Sequence, residues 1–302
     1  MKILKFGGKS LSNGDGLDKV VAIILDKVNQ GEKIAVVVSA RGNATDELEE
    51  MLSIAAKNES YKPQLEQFKL EQQNGFAEVD FTEEFTVLEK LFEGVSLIGD
   101  YSSKIKDQIL SIGEVLSAKL LTAILLKNGV TARFADSREL IKTDSKFGDA
   151  QPIEQASKKN VIQYFKENED AVNIVTGFIA SNAKNVTTTL GRNGSNYTAS
   201  LIANYLNAEE LQNYTHVDGI YTANPDLVPD AKKIDYLTFN EANELANFGA
   251  TILHAKTIIP LLEKNIPLRI LNTFNHENKG TLIRSTASKE GIKTLSVLEN
   301  VA

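Results

Sequence analysis

Lys5 and Lys9 flank a glycine pair, Gly7-Gly8, and Ser10 follows at once. The residues leading into the pair, MKILKF, are largely apolar, so a short strand delivers the chain into this turn. Glycine lets backbone N–H groups approach an anion closely and tolerates positive φ. Lysine adds a compact positive charge. The run therefore suits a phosphate group, although it is neither G-x-x-x-x-G-K-[ST] nor G-x-G-x-x-G. A plain strand-to-helix turn with two solvated lysines fits the same ten residues.

Four more stretches place polar side chains and glycine beside helical runs. Ser39 to Glu47 (SARGNATDE) offers the hydroxyls of Ser39 and Thr45. Thr45 or Asp46 also suits a helix N-cap. Ser111-Ile112-Gly113-Glu114 reads as the opening of an apolar helix, where the dipole favours a carboxylate. Glu114 could hold an ammonium group there; a first-turn glutamate without a ligand is the simpler reading. Leu190 to Tyr197 (LGRNGSNY) sets Gly191, Gly194 and Ser195 before a helix, an anion cradle. Arg192 can clamp a carboxylate through two parallel N–H donors. Thr215 to Asp226 (THVDGIYTANPD) turns at Asp218-Gly219 and at Asn224-Pro225, with Tyr221 able to stack on a ring. By itself this last stretch is a loop.

Alternating strands and helices hold these stretches. Strands are expected over 2–6, 34–39, 130–136, 172–177, 186–190, 210–217, 267–272 and 281–284. Continuous apolar runs such as IAVVVS at 34–39 suit parallel strands buried on both faces. Helical spacing appears over 16–29, 46–57, 81–92, 103–127, 198–206, 240–246 and 251–264. The Gln- and Glu-rich 58–80 reads as solvated helix, so 45–127 becomes a helix-rich block between strands. The pattern predicts an α/β protein, a three-layer αβα sandwich around a mostly parallel sheet. A last strand over 291–302 has no element after it, which suits either an edge strand or the start of a further domain.

Composition narrows the function classes. The net charge of −7 argues against a general nucleic-acid surface. With no cysteine there are no disulfides or thiolate metal sites. The three histidines, His216, His254 and His276, show no ligand spacing, so no metal site is expected. No apolar run approaches the roughly 20 residues of a membrane span, and no signal peptide is visible. A cytoplasmic location is expected.

In this order, the stretches resemble the aspartate kinases of the amino acid kinase family. K-F-G-G-T-S matches Lys5 to Ser10, and S-A-x-x-x-x-T matches Ser39 to Thr45. G-E matches Gly113-Glu114, and F-A-D-S-R-E-L-I-x-T-D matches Phe134 to Asp144. G-R-G-G-S-D-Y matches Gly191 to Tyr197, T-D-V-D-G-I-Y-T-A-D-P matches Thr215 to Pro225, and F-G-A-K-V-L-H matches Phe248 to His254. The resemblance implies the amino acid kinase fold and phosphoryl transfer from ATP, with Mg²⁺, to the side-chain carboxylate of L-aspartate. It implies that Lys5, Lys9 and Gly8 act on the transferring phosphate, with Gly7 and Ser10 holding the nucleotide alongside Thr215, His216, Tyr221 and Asn224. It assigns aspartate to Ser39, Thr45, Glu114, Arg192 and Ser195. It also implies a kinase domain over 1–285, with a substrate lobe to about 190 and a nucleotide lobe beyond. Residues 286–302 would then begin an ACT-like regulatory module of a longer chain with a dehydrogenase part, and a homodimer becomes conceivable.

The chain departs from the pattern in the nucleotide half. Asn196, His216 and Asn224 stand where the family has aspartate, Asp226 where it has arginine, and Thr251 where it has lysine. Lys9 replaces a threonine, and Arg41 sits where a neutral residue is common. One reading is that Lys9 and Arg41 take over for the missing lysine near the phosphates. The alternatives are a degenerate kinase kept as a binding or regulatory module, and a kinase for another amino acid or a nucleotide.

Overall fold

The computed structural model of the chain describes residues 1–12, 14–223, 228, 230–247 and 255–286. The expectations for Asn224, Asp226, Thr251, the 248–254 motif and the strand over 291–302 lie outside the described residues. In chain order the elements are β1 (Lys2–Phe6), a short 3-10 turn (Gly8–Leu11), α1 (Asp15–Asn29), β2 (Ile34–Val38), α2 (Ala44–Ala56), α3 (Lys62–Gln73), α4 (Thr82–Ile98) and α5 (Ser103–Lys127). Next come β3 (Ala132–Ala135), α6 (Ser137–Leu140), β4 (Lys142–Thr143), α7 (Glu154–Glu167), β5 (Val172–Thr176), β6 (Ile179–Asn182), β7 (Thr187–Thr189) and α8 (Gly194–Leu206). The last are β8 (Glu210–Thr215), β9 (Ile220–Tyr221), β10 (Lys233–Ile234), β11 (Tyr236–Thr238), α9 (Phe239–Asn247), α10 (Ala255–Lys264), β12 (Leu268–Asn272) and β13 (Thr281–Arg284).

Eight strands form the central sheet in the order β11-β13-β12-β8-β1-β2-β5-β3. Every pairing in it is parallel except β12 with β13. β1 is central: Leu4 pairs with Val36 of β2 on one side and Gln212 of β8 on the other. Strand order reverses around β1, and in open parallel sheets such a switch point opens a crevice beyond the carboxyl ends of the strands.

The sheet's two faces feed two cores, which gives the three layers. Leu4, Phe6, Val36, Val38 and Ile174 pack with α1 to α5. Ile3, Ala35, Val37 and Val175 pack with the second half of the chain, including Val161, Ile202 and Leu261. Alternate residues of one strand serving opposite layers is the strand period of two at work. Gly113 lets α5 come close: a Cβ built there would lie 2.8 Å from the Ala40 Cβ.

Several boundaries move. The 58–80 stretch holds a shorter helix, α3, which is docked through Leu65 and Phe68 instead of lying free. α8 begins at Gly194, four residues before the expected start, because Asn193 in the left-handed region (φ 58°) opens it. α7 has no counterpart in the sequence reading. Only Ser157, Val161 and Phe165 of it are buried, too thin an apolar stripe to show. Thr45 and Asp46 sit inside the first turn of α2, whose N-cap is Asn43, without a side-chain cap bond. Contrary to the membrane reading, α5 is long and apolar enough to cross a bilayer by length and composition, but most of that window is buried inside the protein.

The helical block is part of the core: Phe92 of α4 is fully buried and stacks on Tyr61 at 5.3 Å. Phe92→Ala should cost about 3–5 kcal/mol, read as a lower urea midpoint. A loss under about 1 kcal/mol would mean the block packs independently of the sheet.

Candidate active site

A cleft of about 670 Å³ opens where β1, β2 and β5 end. Its walls include Lys5 from β1, Ser39 and Thr45 from the loop after β2, Glu114 from α5, and Arg192 and Ser195 from the turn into α8. All five residues expected to hold the amino acid therefore share one cavity with the first lysine. Asp46, Glu49, Lys106, Asp107, Phe178, Thr189 and Asn196 also line it; the sequence reading had Asp46 only as a helix cap and Asn196 in the nucleotide half, and did not single out the others.

Glu114 does not open a helix. It lies in the middle of α5, which begins at Ser103 with the Ser102 hydroxyl accepting from the Ile105 N–H. The helical spacing expected over 103–127 coincides with α5, and it sets aside the reading of Glu114 as a first-turn acid. The electrostatics of Glu114 come from tertiary neighbours. The Ala40 N–H donates to its Oε1 at 3.1 Å, and its Oε2 is buried with no partner. Burial pushes its carboxyl up to about 8; the Ala40 bond and the nearby Lys5 charge pull the other way. Lys5 is lowered to about 8, by burial first, with Glu114 opposing. A carboxylate oxygen with no protein donor, deep in a cleft, is a receptor for an ammonium group.

Asp107 lies two helical turns before Glu114 on α5 and is 1% exposed. Its Oδ2 accepts from the N–H groups of Gly148 (3.0 Å) and Thr189 (2.9 Å), and its Oδ1 from the Thr189 hydroxyl (2.8 Å). With three donors in place it fixes the cleft wall, whereas the Glu114 Oε2 has no partner in the fold. Burial raises the Asp107 carboxyl above its ordinary value. The sequence signal was its seven-residue spacing from Glu114. The F-A-D-S-R-E-L stretch also builds support: Ser137 donates to the Ile179 carbonyl at 2.7 Å, and Asp136 caps α6 through the Arg138 N–H.

Of the described residues expected to hold a nucleotide, Gly7 and Ser10 follow β1, while Thr215, His216 and Tyr221 lie at or after the end of β8, and none of them lines this cleft. Lys9 and His216 are exposed. The imidazole of His216 is held below its ordinary value by partial burial first and then by the charge of Lys9. Thr215 ends β8, and Tyr221 sits in the small β9–β10 hairpin. Ser10 is fully buried and receives a hydrogen bond from the Thr273 hydroxyl at 2.7 Å, so its side chain braces the loop. Gly7 fits a phosphate cradle: a Cβ there would come within 3.3 Å of the Lys5 Nζ and crowd an anion's approach.

Arg41 is not near the phosphate side. Its guanidinium donates to the carbonyls of Gln72 (2.7 Å) and Glu71 (3.0 Å) at the end of α3. The expected replacement of a missing cation by Arg41 is overturned, because these carbonyls lie at the close of a helix and attract a positive group.

The family model described as the amino acid kinase family matches residues 1–272. A bifunctional aspartokinase/homoserine dehydrogenase from Buchnera aphidicola is 33% identical over all of this chain, which spans 39% of that protein. Lysine-sensitive aspartokinase 3 of Escherichia coli is 32% identical over 93% of this chain and 63% of its own length. The crystal structure of E. coli aspartokinase III in complex with aspartate and ADP superposes with a TM-score of 0.86 at 30% identity, covering 95% of this chain and 65% of that one. The chain thus spans less than two thirds of these relatives.

The raised Glu114 carboxyl has a consequence for stability. A group with a folded value of about 8 against an ordinary 4.5 stabilises the fold fully below about pH 4.5, and that contribution is lost as pH rises through 8. Lys5, lowered to about 8, acts only above that window. Glu114→Gln should flatten the decline between pH 5 and 8 by an amount on the order of 3 kcal/mol, measured by urea denaturation at both pH values. Parallel wild-type and variant curves would place Glu114 in water.

Proposed function

Because the chain belongs to the amino acid kinase family, we propose that it transfers the terminal phosphoryl group of ATP to the side-chain carboxylate of L-aspartate, giving 4-phospho-L-aspartate and ADP. The observation that carries this reading is the convergence of Arg192, Ser39, Thr45, Ser195 and the unpartnered oxygen of Glu114 on one cleft that also holds Lys5. Aspartate brings one ammonium and two carboxylates. Glu114 takes the ammonium, which replaces the missing donor and draws the glutamate back to its ionised form. Arg192 grips one carboxylate in a bidentate pair. The other carboxylate faces the nucleotide across β1.

The reaction needs no general base, since the attacking carboxylate is already ionised. Its oxygen bonds to the γ-phosphorus while the bond to the β–γ bridging oxygen breaks, and ADP carries that electron pair away. The protein's task is to align the groups and to balance charge. Lys5 sits at the mouth of the glycine turn, between the two halves, and supplies a fixed positive charge. Lys9 adds charge on the nucleotide side, with Thr215, His216 and Tyr221 beside the base and sugar. Mg²⁺ belongs to this reading as a companion of the nucleotide phosphates, keeping much of its water shell, and screens their charge. A substrate lobe to about 190, a nucleotide lobe beyond, and a cytoplasmic location are part of the same proposal.

A second reading, a binding module with little turnover, is favoured by one observation: Arg41 is engaged away from the phosphates, so Lys9 alone stands in for the lysine missing at Thr251.

A coupled ADP-release assay separates the readings. L-aspartate should support turnover, and glutamate, N-acetylglutamate and UMP should not. Lys5→Ala should lower kcat by about 10²–10³-fold, and Arg192→Ala should lower kcat/KM for aspartate by about 10²-fold. Turnover should also fall in Lys9→Ala. A cooperatively folded chain with no detectable ADP release would leave the binding-module reading standing.

A further inference from the structure

We propose that Arg41 is a positioning residue of the amino-acid site: by holding the C-terminal end of α3, it fixes the 39–45 loop against both Glu114 and Gly8. The inference rests on the kinase reading for its kinetic consequence only.

The loop is tied at three consecutive residues. The Ala40 N–H donates to Glu114 Oε1 at 3.1 Å. The Gly42 N–H donates to the Gly8 carbonyl at 3.0 Å. Between them stands Arg41, 4% exposed, with its guanidinium on the Glu71 and Gln72 carbonyls, the Gln72 side-chain oxygen at 3.2 Å, and 5.8 Å from the Phe76 ring centre. The two ends of the loop, Ser39 and Thr45, line the cleft. One residue therefore joins a distant helix to both the acid that would receive the ammonium and the glycine turn that would meet the phosphate.

The helix side is built for this. The last four carbonyls of a helix lack partners within it, and α3 has no basic residue in its last turn. Arg41 serves two of those carbonyls. The Gln73 amide donates to the carbonyls of Phe76 and Val79 at 2.6 and 2.9 Å, folding the following chain beneath the guanidinium. One guanidinium nitrogen, Nη2, reaches all three acceptors while the plane lies against a ring; a lysine side chain is one atom shorter and its ammonium has no flat face for that ring.

Kinetics with aspartate and MgATP, together with a ¹³C titration of the Glu114 carboxyl, test the inference on the whole chain. Arg41→Lys should raise KM for aspartate about tenfold, with a smaller change in kcat. The Glu114 titration should move upward by about one pH unit, as the Ala40 N–H no longer steadies the ionised form. The Gln72→Ala/Phe76→Leu pair, which alters only the α3 side, should move both readouts in the same direction by less. A cooperatively melting Arg41→Lys with unchanged KM and unchanged titration would show a merely structural arginine and overturn the inference. If Arg41→Lys does not fold, the double variant decides by the same criterion. Absence of wild-type turnover would sink the kinase reading, while the titration, which needs no substrate, still judges Arg41.

Discussion

A glutamate in the middle of a buried helix, facing a buried lysine, is the constraint around which the rest of the chain is arranged. Neither charge is tolerable alone in that position, and neither is fully answered by the other: Glu114 keeps one oxygen without a donor, and Lys5 lies under a glycine where a larger residue would crowd it. In the proposed function the missing partner is the substrate. A site that is incomplete by one ammonium and one anion is selective for a molecule that brings both, and the apolar packing of α5 against the sheet supplies the stability that this incomplete pair takes away.

The supporting elements follow from that requirement. Gly113 brings α5 close enough for Ala40 to reach Glu114. Asp107 uses all its bonding on the opposite wall, so one carboxylate of the helix is structural and the other is open. β1 passes between the two halves of the crevice, and its last residues serve both. The cleft wall is therefore densely bonded, whereas the proposed nucleotide side mixes the exposed Lys9 and His216 with the buried Ser10.

Much of this was legible in the sequence because glycine, lysine, serine and arginine at strand ends have few other uses in such density. The strands expected over 2–6, 34–39 and 172–177 stood out because strands covered on both faces are largely apolar. What stayed hidden has physical reasons. The helix expected over 103–127 already set Glu114 in mid-helix; what stayed hidden is which of its turns faces the cleft, since a helix buried nearly all round has no amphipathic phase. α7 was missed because three buried side chains make a weak periodicity. Arg41 was misplaced because sequence proximity to Ser39 says nothing about where a long side chain turns, and its partners are main-chain carbonyls 30 residues away, which no residue type announces. Asp107 was overlooked because a lone acid in a helix normally faces water.

The ladder of β1 has a bearing on how the chain acquires its shape. One edge of that strand pairs with β2, a short distance along the sequence, whereas the other pairs with β8, roughly two hundred residues later. During synthesis the latter edge stays open, with its row of amides and carbonyls unmet, until most of the polypeptide has left the ribosome. Non-local parallel pairing of this kind is slow and leaves a strand vulnerable to foreign partners. The same central location that gives β1 access to both halves of the crevice thus leaves one of its edges open until β8 has been made.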